Sequence, residues 1–460
     1  MEPRQRDALN DQLSPIATGQ ETGRAIVIEP WLKRPSARGA ATRDDTRTPE
    51  GRLDEAVGLA RAIDLNVVDS GLVTLNAVRP ATYIGIGKVD EIAGLVKSLG
   101  AGVVVMDCPV SPVQQRNLEK AWNAKVLDRT GLILEIFGRR ARTREGALQV
   151  EHAHLNYQKS RLVRSWTHLE RQRGGFGFIG GPGETQLETD RRLIEERIIR
   201  IEAELEKVKR TRKLHRDSRK RVPHPIIALV GYTNAGKSTL FNKMTRASVL
   251  SADMLFATLD PTLRAVDLPH GNRIIVSDTV GFISDLPTML VAAFRATLEE
   301  VIEADVILHV RDMSHLETGA QSRDVVKILG ELGIDAEGDR RLIEVWNKID
   351  RLDADGRASL FNLAERQPAE QRPVLVSALS GEGIDRLNVA IEARLAEHKQ
   401  TFDLVLDPAD GAGLSWLYRH AEVLSREMSE DGRLVVTVRA DADNAARLRA
   451  KFSTSFNPAA

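Results

Sequence analysis

The 460-residue sequence has little cysteine, no long apolar run and no net charge. Cys108 is the single cysteine, which excludes an internal disulfide framework and a cysteine-cluster metal site. No apolar run approaches the roughly 20 residues that span a bilayer, and the first residues contain no apolar signal core. These absences predict a cytoplasmic protein without a membrane span.

Positive and negative charges are equal in number over the whole chain, but they are unevenly distributed along the sequence. Lys and Arg number 65, as do Asp and Glu, so no overall field attracts a polyanion. Between residues 139 and 222, however, 22 Lys and Arg stand against 12 Asp and Glu. Hydrophobic residues make up 42% of the chain, which is enough to fill the cores of more than one domain.

Residues 231–238 spell a complete phosphate-binding loop. Its backbone N–H groups can close around phosphate oxygens, Lys237 places an ammonium on the β- and γ-phosphates, and Ser238 offers a hydroxyl to Mg²⁺. The apolar run before the loop predicts a buried strand, and a helix is predicted after it. The loop residues assigned to the bound nucleotide are Gly231, Tyr232, Thr233, Asn234, Ala235, Gly236, Lys237 and Ser238.

Other motifs of the same site follow predicted strands. Asp278 can hold Mg²⁺ through a water, and the N–H of Gly281 can reach the γ-phosphate. The Asp350 carboxylate can accept two N–H bonds from guanine, which selects GTP because adenine would leave the carboxylate unpaired. These motifs assign to GTP the residues Asp278, Thr279, Val280, Gly281, Asn347, Lys348, Ile349, Asp350, Ser377, Ala378 and Leu379.

A threonine between these motifs is expected to reach Mg²⁺ and the γ-phosphate together. Thr258 is the first choice and Thr262 the alternative. The residues of this segment assigned to GTP are Phe256, Ala257, Thr258, Leu259 and Asp260. The predicted catalytic residues are Lys237, Thr258 and Gly281, and the predicted Mg²⁺ ligands are Ser238 and Thr258.

Phe282 stands where Ras-type enzymes carry the glutamine that orients the attacking water. A phenyl ring cannot orient water, so we expect slow intrinsic hydrolysis that depends on a backbone group, a bound cation or a partner. Asn234 is a candidate ligand for a monovalent cation such as K⁺. The alternative is that Asn234 only braces the loop by hydrogen bonding.

Alternating strands and helices predict an α/β fold with two such regions. Residues 51–145 form an N-terminal α/β domain, and residues 223–398 a doubly wound, Ras-like GTPase domain whose ligands sit at the carboxyl ends of the strands. Residues 1–50 predict a flexible arm with one edge strand at the apolar patch 25–28. Gly85-Ile86-Gly87-Lys88 resembles part of a second nucleotide motif, but an ordinary strand-to-helix turn is the favoured interpretation.

Residues 146–222 predict a basic antiparallel helical hairpin. Leucines from Leu148 recur every seven residues, and apolar residues from Ile194 follow a four-three spacing, so both helices carry a coiled-coil seam. A glycine-rich loop at 174–183 joins them and carries two phenylalanines. The hairpin is either a solvated charged helix pair or a probe that binds RNA phosphates with arginine and bases with aromatic rings.

The tail at 401–460 predicts a small C-terminal α/β domain. Strands are expected at 404–406 and 434–438, with a helix at 416–428 between them.

Several motifs together resemble the HflX family of bacterial GTPases over about residues 50–400. The segments that carry the resemblance lie at 83–88, 129–134, 180–190, 231–239, 256–262 and 278–282. The stretch Gly-Gly-Pro-Gly-Glu-Thr-Gln-Leu-Glu-Thr-Asp at 180–190 is specific to that family. A hydrophobic residue at the position of Phe282 is also shared by it.

The resemblance implies a monomeric, ribosome-associated GTPase that engages the 50S subunit and its rRNA. It implies an N-terminal domain and hairpin that reach toward the peptidyl-transferase region, and rescue of stalled ribosomes by splitting under stress. It further implies Mg²⁺ at Ser238 and Thr258 and stimulation of hydrolysis by the ribosome. Two alternatives remain, an assembly or tRNA-directed GTPase acting on free RNA and an interaction scaffold with a vestigial nucleotide site.

Overall fold

The computed structural model forms three sheets with helices on their faces and one long helical pair. It describes residues 23–33, 47–172, 182–219, 224–246, 255–256, 258–259, 261–269, 273–286, 298–336, 338–397, 400–429, 432–440, 442–452 and 456–457. The predicted α/β class is confirmed. Within these residues, no helix is long and apolar enough to cross a membrane.

The N-terminal sheet has four parallel strands in the order β2-β1-β3-β4. Its strands are β1 (Arg24–Leu32), β2 (Asn66–Leu75), β3 (Val103–Met106) and β4 (Lys125–Asp128). Its helices are α1 (Pro49–Arg61), α2 (Ile86–Leu99), α3 (Pro112–Trp122) and α4 (Arg129–Arg140). Gly85 is the residue before α2, so the Gly-Ile-Gly-Lys segment is a turn into a helix.

The prediction of an edge strand in the N-terminal arm is wrong. Strand β1 pairs with β2 on one side and with β3 on the other, so it is an interior strand. Residues 25–29 are all buried. Four consecutive apolar residues are typical of a parallel strand covered on both faces, whereas a half-exposed edge strand alternates.

Two long helices, α5 (Arg144–Gln172) and α6 (Pro182–Arg219), pack on each other. Their shared buried cluster consists of Leu148, Leu155, Ile198 and Ile201. Glu151 pairs with Arg197 at 2.7 Å, and Lys159 pairs with Glu195 at 3.1 Å. As the residue numbers rise along α5, the numbers of their partners on α6 fall, so the two helices are antiparallel. The loop predicted at 174–183 lies outside the described residues up to position 181.

Six strands form the second sheet in the order β10-β9-β8-β5-β7-β6. The strands are β5 (Ile226–Gly231), β6 (Thr262–Asp267), β7 (Arg273–Asp278), β8 (Val306–Asp312), β9 (Leu342–Asn347) and β10 (Val374–Leu375). The helices are α7 (Lys237–Thr245), α8 (Thr318–Glu331), α9 (Ala354–Glu365) and α10 (Ile384–Glu397). Among the strands that the structure describes, only the β6–β7 pairing is antiparallel, so the predicted Ras-like sheet is confirmed.

The C-terminal sheet is antiparallel, with the order β12-β13-β11-β14. Its elements are β11 (Gln400–Leu406), α11 (Gly411–His420), β12 (Glu422–Met428), β13 (Leu434–Ala440), α12 (Ala442–Lys451) and β14 (Phe456–Asn457). This order of elements and strands is the ferredoxin-like arrangement of split βαβ units.

The helix predicted at 416–428 is wrong in its second half. Helix α11 ends at His420, and the next residues form β12, which pairs along β13. Cross-strand pairing decides the conformation here, because strand and helix preferences of single residues are weak compared with packing.

The N-terminal sheet and the six-stranded sheet share one hydrophobic core. Leu59 and Phe137 from the first belong to the same buried cluster as Phe256 and Phe282 from the second. The rings of Phe137 and Phe256 meet edge to face, with their centroids 4.8 Å apart. The segment that carries Thr258 is therefore anchored on the N-terminal unit.

Candidate nucleotide site

Lys237 lies at the start of α7 with its ammonium folded onto the phosphate loop. Its Nζ donates to the carbonyl oxygens of Gly231 and Tyr232, at 3.1 and 2.8 Å. Burial lowers the pKa of Lys237, Asp278 opposes that shift and Lys348 adds to it, and the net result is a pKa of about 8. An anion near this ammonium would restore its ordinary basicity.

Three oxygen-bearing side chains converge beside Lys237. The Ser238 and Thr258 hydroxyls lie 2.8 Å apart, and they contact the Asp278 Oδ2 at 2.7 and 2.9 Å respectively. The Asp278 Oδ1 is buried and has no partner among the described residues. Thr262, the alternative threonine, begins β6 instead. The structure therefore brings together the residues that the sequence assigns to one metal site.

The segment after Asp278 packs directly on the phosphate loop. Phe282 donates its N–H to the Gly231 oxygen at 3.1 Å and accepts the Thr233 N–H at 2.7 Å. A Cβ on Gly281 would lie 2.9 Å from both the Lys237 Nζ and the Thr233 Cγ2, so only glycine fits there. The Phe282 ring is 1% exposed and belongs to the shared core. It is therefore a packing residue rather than a water ligand.

The Asn347 amide connects the phosphate loop with the last predicted motif. Its Nδ2 donates to the Ala235 oxygen at 2.9 Å, and its Oδ1 accepts the Ala378 N–H at 3.0 Å. Gly236 has a φ of +95°, and a Cβ there would lie 2.2 Å from the Asn347 Nδ2. Asn347 thus braces the site from within.

The residues assigned to the base differ in their exposure. Asp350 is exposed on a short 3-10 helix, Ile349–Arg351. The Lys348 ammonium lies 2.7 Å from the Asp312 Oδ2 at the end of β8. Leu379 is 76% exposed, whereas Ser377 is buried. Ala257 and Asp260, also assigned to GTP, lie outside the described residues.

A buried polar cluster, the polar seam, joins the phosphate loop to the N-terminal unit. Its members are Arg47, Glu55, Asp107, Arg129, Tyr232, Ser284 and Asp324. The Tyr232 hydroxyl donates to Glu55 and accepts the Ser284 N–H at 2.8 Å. The Ser284 hydroxyl also donates to Glu55, at 2.7 Å. Glu55 therefore holds the loop and the segment after Phe282 at one point.

Two arginines compensate the buried charge of Glu55. Arg129 contacts Glu55 and, at 2.6 Å, the Asp107 Oδ1, while the Arg47 Nη1 lies 3.1 Å from the Glu55 Oε2. Burial alone would raise the pKa of Glu55, but Arg129 and Arg47 outweigh it and lower that pKa to about 2. The carboxylate is thus ionised and dependent on its partners.

Asp128, the residue before Arg129, attaches the helical hairpin beside the polar seam. Its Oδ1 accepts the Gly131 N–H at 2.8 Å, which caps α4, and it also accepts the Tyr157 hydroxyl. The Arg161 Nη2 lies 2.6 Å from the Asp128 Oδ2. Because Tyr157 and Arg161 lie on α5, the hairpin and the nucleotide site meet the same edge of the N-terminal sheet.

Sequence motifs do not indicate the polar seam or Asp312. The members of the seam come from distant parts of the chain. Tyr232 belongs to the phosphate loop and Arg129 begins the segment 129–134, but neither motif indicates the other members. Asp312 could nevertheless have been found from the sequence, because it ends a strand and the other site residues follow the carboxyl ends of such strands.

The fold and the site define a P-loop GTPase, because phosphate, metal and base motifs share the carboxyl edge of one doubly wound sheet. Four family profiles match successive parts of the chain. They are described as GTP-binding GTPase N-terminal (residues 50–138), GTP-binding GTPase Middle Region (140–219), 50S ribosome-binding GTPase (226–348) and HflX C-terminal domain (362–459).

Two related proteins show to which family of P-loop GTPases the chain belongs. The chain is 49% identical over 416 residues to the GTPase HflX of Magnetococcus marinus, covering 90% of this chain and 92% of that one. It is 47% identical over 363 residues to the GTPase HflX of Escherichia coli, covering 79% and 83%. The chain therefore belongs to the HflX family of GTPases; it binds and hydrolyses GTP.

A solved GTP-binding protein of the archaeon Sulfolobus solfataricus, in complex with GDP, is also similar. The TM-score is 0.42 at 21% identity, covering 81% of this chain and 99% of that one.

Glu55→Ala is expected to destabilise the protein by about 3–5 kcal/mol, because it leaves buried arginines without their counter-charge. Thermal unfolding measures this loss. The control is Glu382→Ala, which breaks the exposed Arg357–Glu382 pair and should cost less than about 1 kcal/mol. The stabilisation from ionised Glu55 is fully present above the ordinary pKa of 4.5 and is lost as the pH falls toward 2. The free energies of unfolding of the parent protein and of Glu55→Ala should therefore converge between those pH values.

GTP affinity should stay level up to pH 7 and weaken as pH rises through about 8, because the free Lys237 amine loses its proton there. Binding at pH 8 should take up a proton, since phosphate favours the charged amine. Calorimetry in two buffers of different ionisation enthalpy measures the uptake. The control Lys243→Arg should behave like the parent protein, and a binding reaction without proton uptake at pH 8 contradicts the prediction.

Proposed function

We propose that this GTPase acts on the 50S ribosomal subunit and splits or rescues stalled ribosomes, as part of a response to stress. Two findings support the ribosome as partner: the profile matched at 226–348 is described as a 50S ribosome-binding GTPase, and the relatives are HflX proteins. The structural observation that carries the proposal is the polar seam, because it connects the phosphate loop to the unit that holds the hairpin.

The hairpin supplies the surface for ribosomal RNA in this proposal. The segment at 139–222 carries ten more positive than negative charges, while the chain as a whole is neutral. Attraction to phosphates is therefore local to one arm. Arg192 and Arg200 on α6 have exposed side chains, and among the described residues each pairs with Glu196 on the same helix, so they can also face RNA.

GTP acts as a population switch in this proposal. Bound triphosphate favours the position of Gly281 that lets its N–H meet the γ-phosphate. Phe282 and Ser284 follow in the chain, and Ser284 is tied to Glu55. The N-terminal unit and hairpin therefore respond to the γ-phosphate and favour a 50S-bound state that excludes the small subunit. Hydrolysis, slow in the free protein and stimulated on the ribosome, releases the factor.

Mg²⁺ fits the convergent oxygens of the site. Hydroxyl and carboxylate oxygens are the ligands it prefers, and the buried Asp278 Oδ1 has no other partner among the described residues. Ser238 and Thr258 would bind the ion directly, and Asp278 through water. The ion would neutralise charge that develops between the β- and γ-phosphates. A K⁺ ion near Asn234 is a second proposal, which unchanged turnover after replacing K⁺ by Na⁺ would exclude.

The remaining assignments form part of the same proposal. Lys237, Thr258 and Gly281 contact the reacting phosphates, the other residues assigned above surround the nucleotide, and the protein works as a monomer on ribosomes in the cytoplasm. The five predicted domain ranges remain predictions.

Sucrose-gradient sedimentation with a non-hydrolysable GTP analogue tests the function. The protein should move with 50S subunits and joined ribosomes should decrease. Lys237→Ala should abolish both effects, whereas Lys243→Arg should not. Binding to precursor particles or free tRNA instead would favour the assembly or tRNA-directed GTPase, and unchanged activity of Lys237→Ala would favour a scaffold.

Asp350→Asn should lower GTP affinity at least about 100-fold, because loss of a charged pair of hydrogen bonds costs roughly 3 kcal/mol. Affinity for xanthosine triphosphate should rise, since an amide can donate to the extra oxygen of xanthine. The matched control is Asp353→Asn, which keeps the cap of α9 and should leave specificity unchanged. Fluorescent-nucleotide titration measures all three proteins, and unchanged specificity of Asp350→Asn would remove Asp350 from the base site.

A further inference from the structure

Thr233 carries a buried hydroxyl without a partner in the phosphate loop. Its Oγ1 is buried and makes no hydrogen bond to any described residue, and the residue is 5% exposed. Five nearby hydroxyls are engaged: those of Ser238 and Thr258 with Asp278, that of Thr279 with the Leu229 oxygen, and those of Tyr232 and Ser284 with Glu55.

Thr233 lies on the γ-phosphate side of the loop, with its methyl group toward Gly281. A Cβ on Gly281 would touch both the Thr233 Cγ2 and the Lys237 Nζ, each at 2.9 Å, so these two side chains flank Gly281. Lys237 is the residue for the β- and γ-phosphates, and the Gly281 N–H reaches the γ-phosphate. Rotation about the Thr233 χ1 angle exchanges the methyl group at this contact for the hydroxyl.

An unpaired buried hydroxyl destabilises the conformation that contains it. A valine of the same shape would avoid that cost. Groups of this kind are rare in folded proteins, and where they occur in a site they point to a contact made in another state. The nucleotide-bound state is the one that brings new hydrogen-bond partners to this loop.

We propose that Thr233 is a catalytic residue whose hydroxyl holds the attacking water during GTP hydrolysis. The water oxygen forms a bond to the γ-phosphorus while the bond from that phosphorus to the β–γ bridging oxygen breaks. The bridging oxygen keeps the electron pair and leaves on GDP, and one water proton goes to the phosphate or to solvent. Thr233 orients the water, a task that the buried ring of Phe282 cannot perform.

Thr233→Val tests the proposal because it removes the hydroxyl and keeps the shape. Single-turnover hydrolysis should slow about tenfold, the effect of losing one hydrogen bond in the transition state. The dissociation constants for GTP and GDP should change less than about twofold, while affinity for GDP with aluminium fluoride should fall about tenfold. Thr233→Ser, which keeps the hydroxyl, should retain the parent rate within about twofold.

Stability gives an independent readout. Thr233→Val should unfold at the same temperature as the parent protein or higher, because it removes an unpaired buried group. The control is Thr245→Val, whose hydroxyl donates to the Phe241 oxygen at 2.7 Å. This variant should lose stability and keep the parent rate of hydrolysis.

Parent-like hydrolysis by Thr233→Val overturns the proposal, as does equal slowing of the valine and serine variants, which would indicate packing alone. The proposal also rests on the proposed phosphate site. Failure of that site appears as parent-like GTP binding in Lys237→Ala. Failure of the Thr233 proposal alone leaves Lys237→Ala unable to bind GTP, while Thr233→Val hydrolyses GTP at the parent rate.

Discussion

The buried carboxylate of Glu55 is the constraint on which the arrangement of the two sheets depends. Its Oε1 contacts Arg129 and Ser284, and its Oε2 contacts Arg47 and Tyr232. A charge buried with four partners resists the loss of any one of them, since the remaining groups would stay desolvated. Motion of the segment after Phe282 is therefore easier if the N-terminal unit moves with it.

The GTPase unit contacts the N-terminal sheet at the position where open parallel sheets commonly bind a ligand. In its order β2-β1-β3-β4, the direction of the winding reverses between β1 and β3, and ligands of open parallel sheets bind at the carboxyl ends beside such a point. Asp107 follows β3 there, and the Arg129 guanidinium bridges from it to Glu55 and the Ser284 oxygen. This crevice thus holds part of the neighbouring unit, and the hairpin is attached through Asp128 at the same edge.

Local chemistry explains which features the sequence predicts well. Each well-predicted element consists of residues that are neighbours in the sequence, as in the phosphate loop, the guanine motif and the strands β8 and β9. Such residues can be recognised without knowing what they contact in the fold. Strand β12 shows the limit, because its pairing with β13 decides its conformation. The polar seam shows the same limit, since Glu55 and Tyr232 are 177 positions apart and neither residue alone indicates the other. The role of Asn347 as an internal brace also depends on contacts across the fold.

The phosphate site contains buried polar oxygens that a bound nucleotide and its metal ion could satisfy. Around Glu55 the carboxylate oxygens are fully engaged, whereas Thr233 and Asp278 each have a buried oxygen without a partner among the described residues. New hydrogen bonds are therefore to be gained at the phosphate site, whereas loss of the contacts of Glu55 would leave its buried carboxylate unpaired. Phe282 lies between them, buried in the shared core and bonded through its backbone to the phosphate loop. In the proposed switch, a change that begins at the phosphates would therefore reach the N-terminal unit through a packed segment.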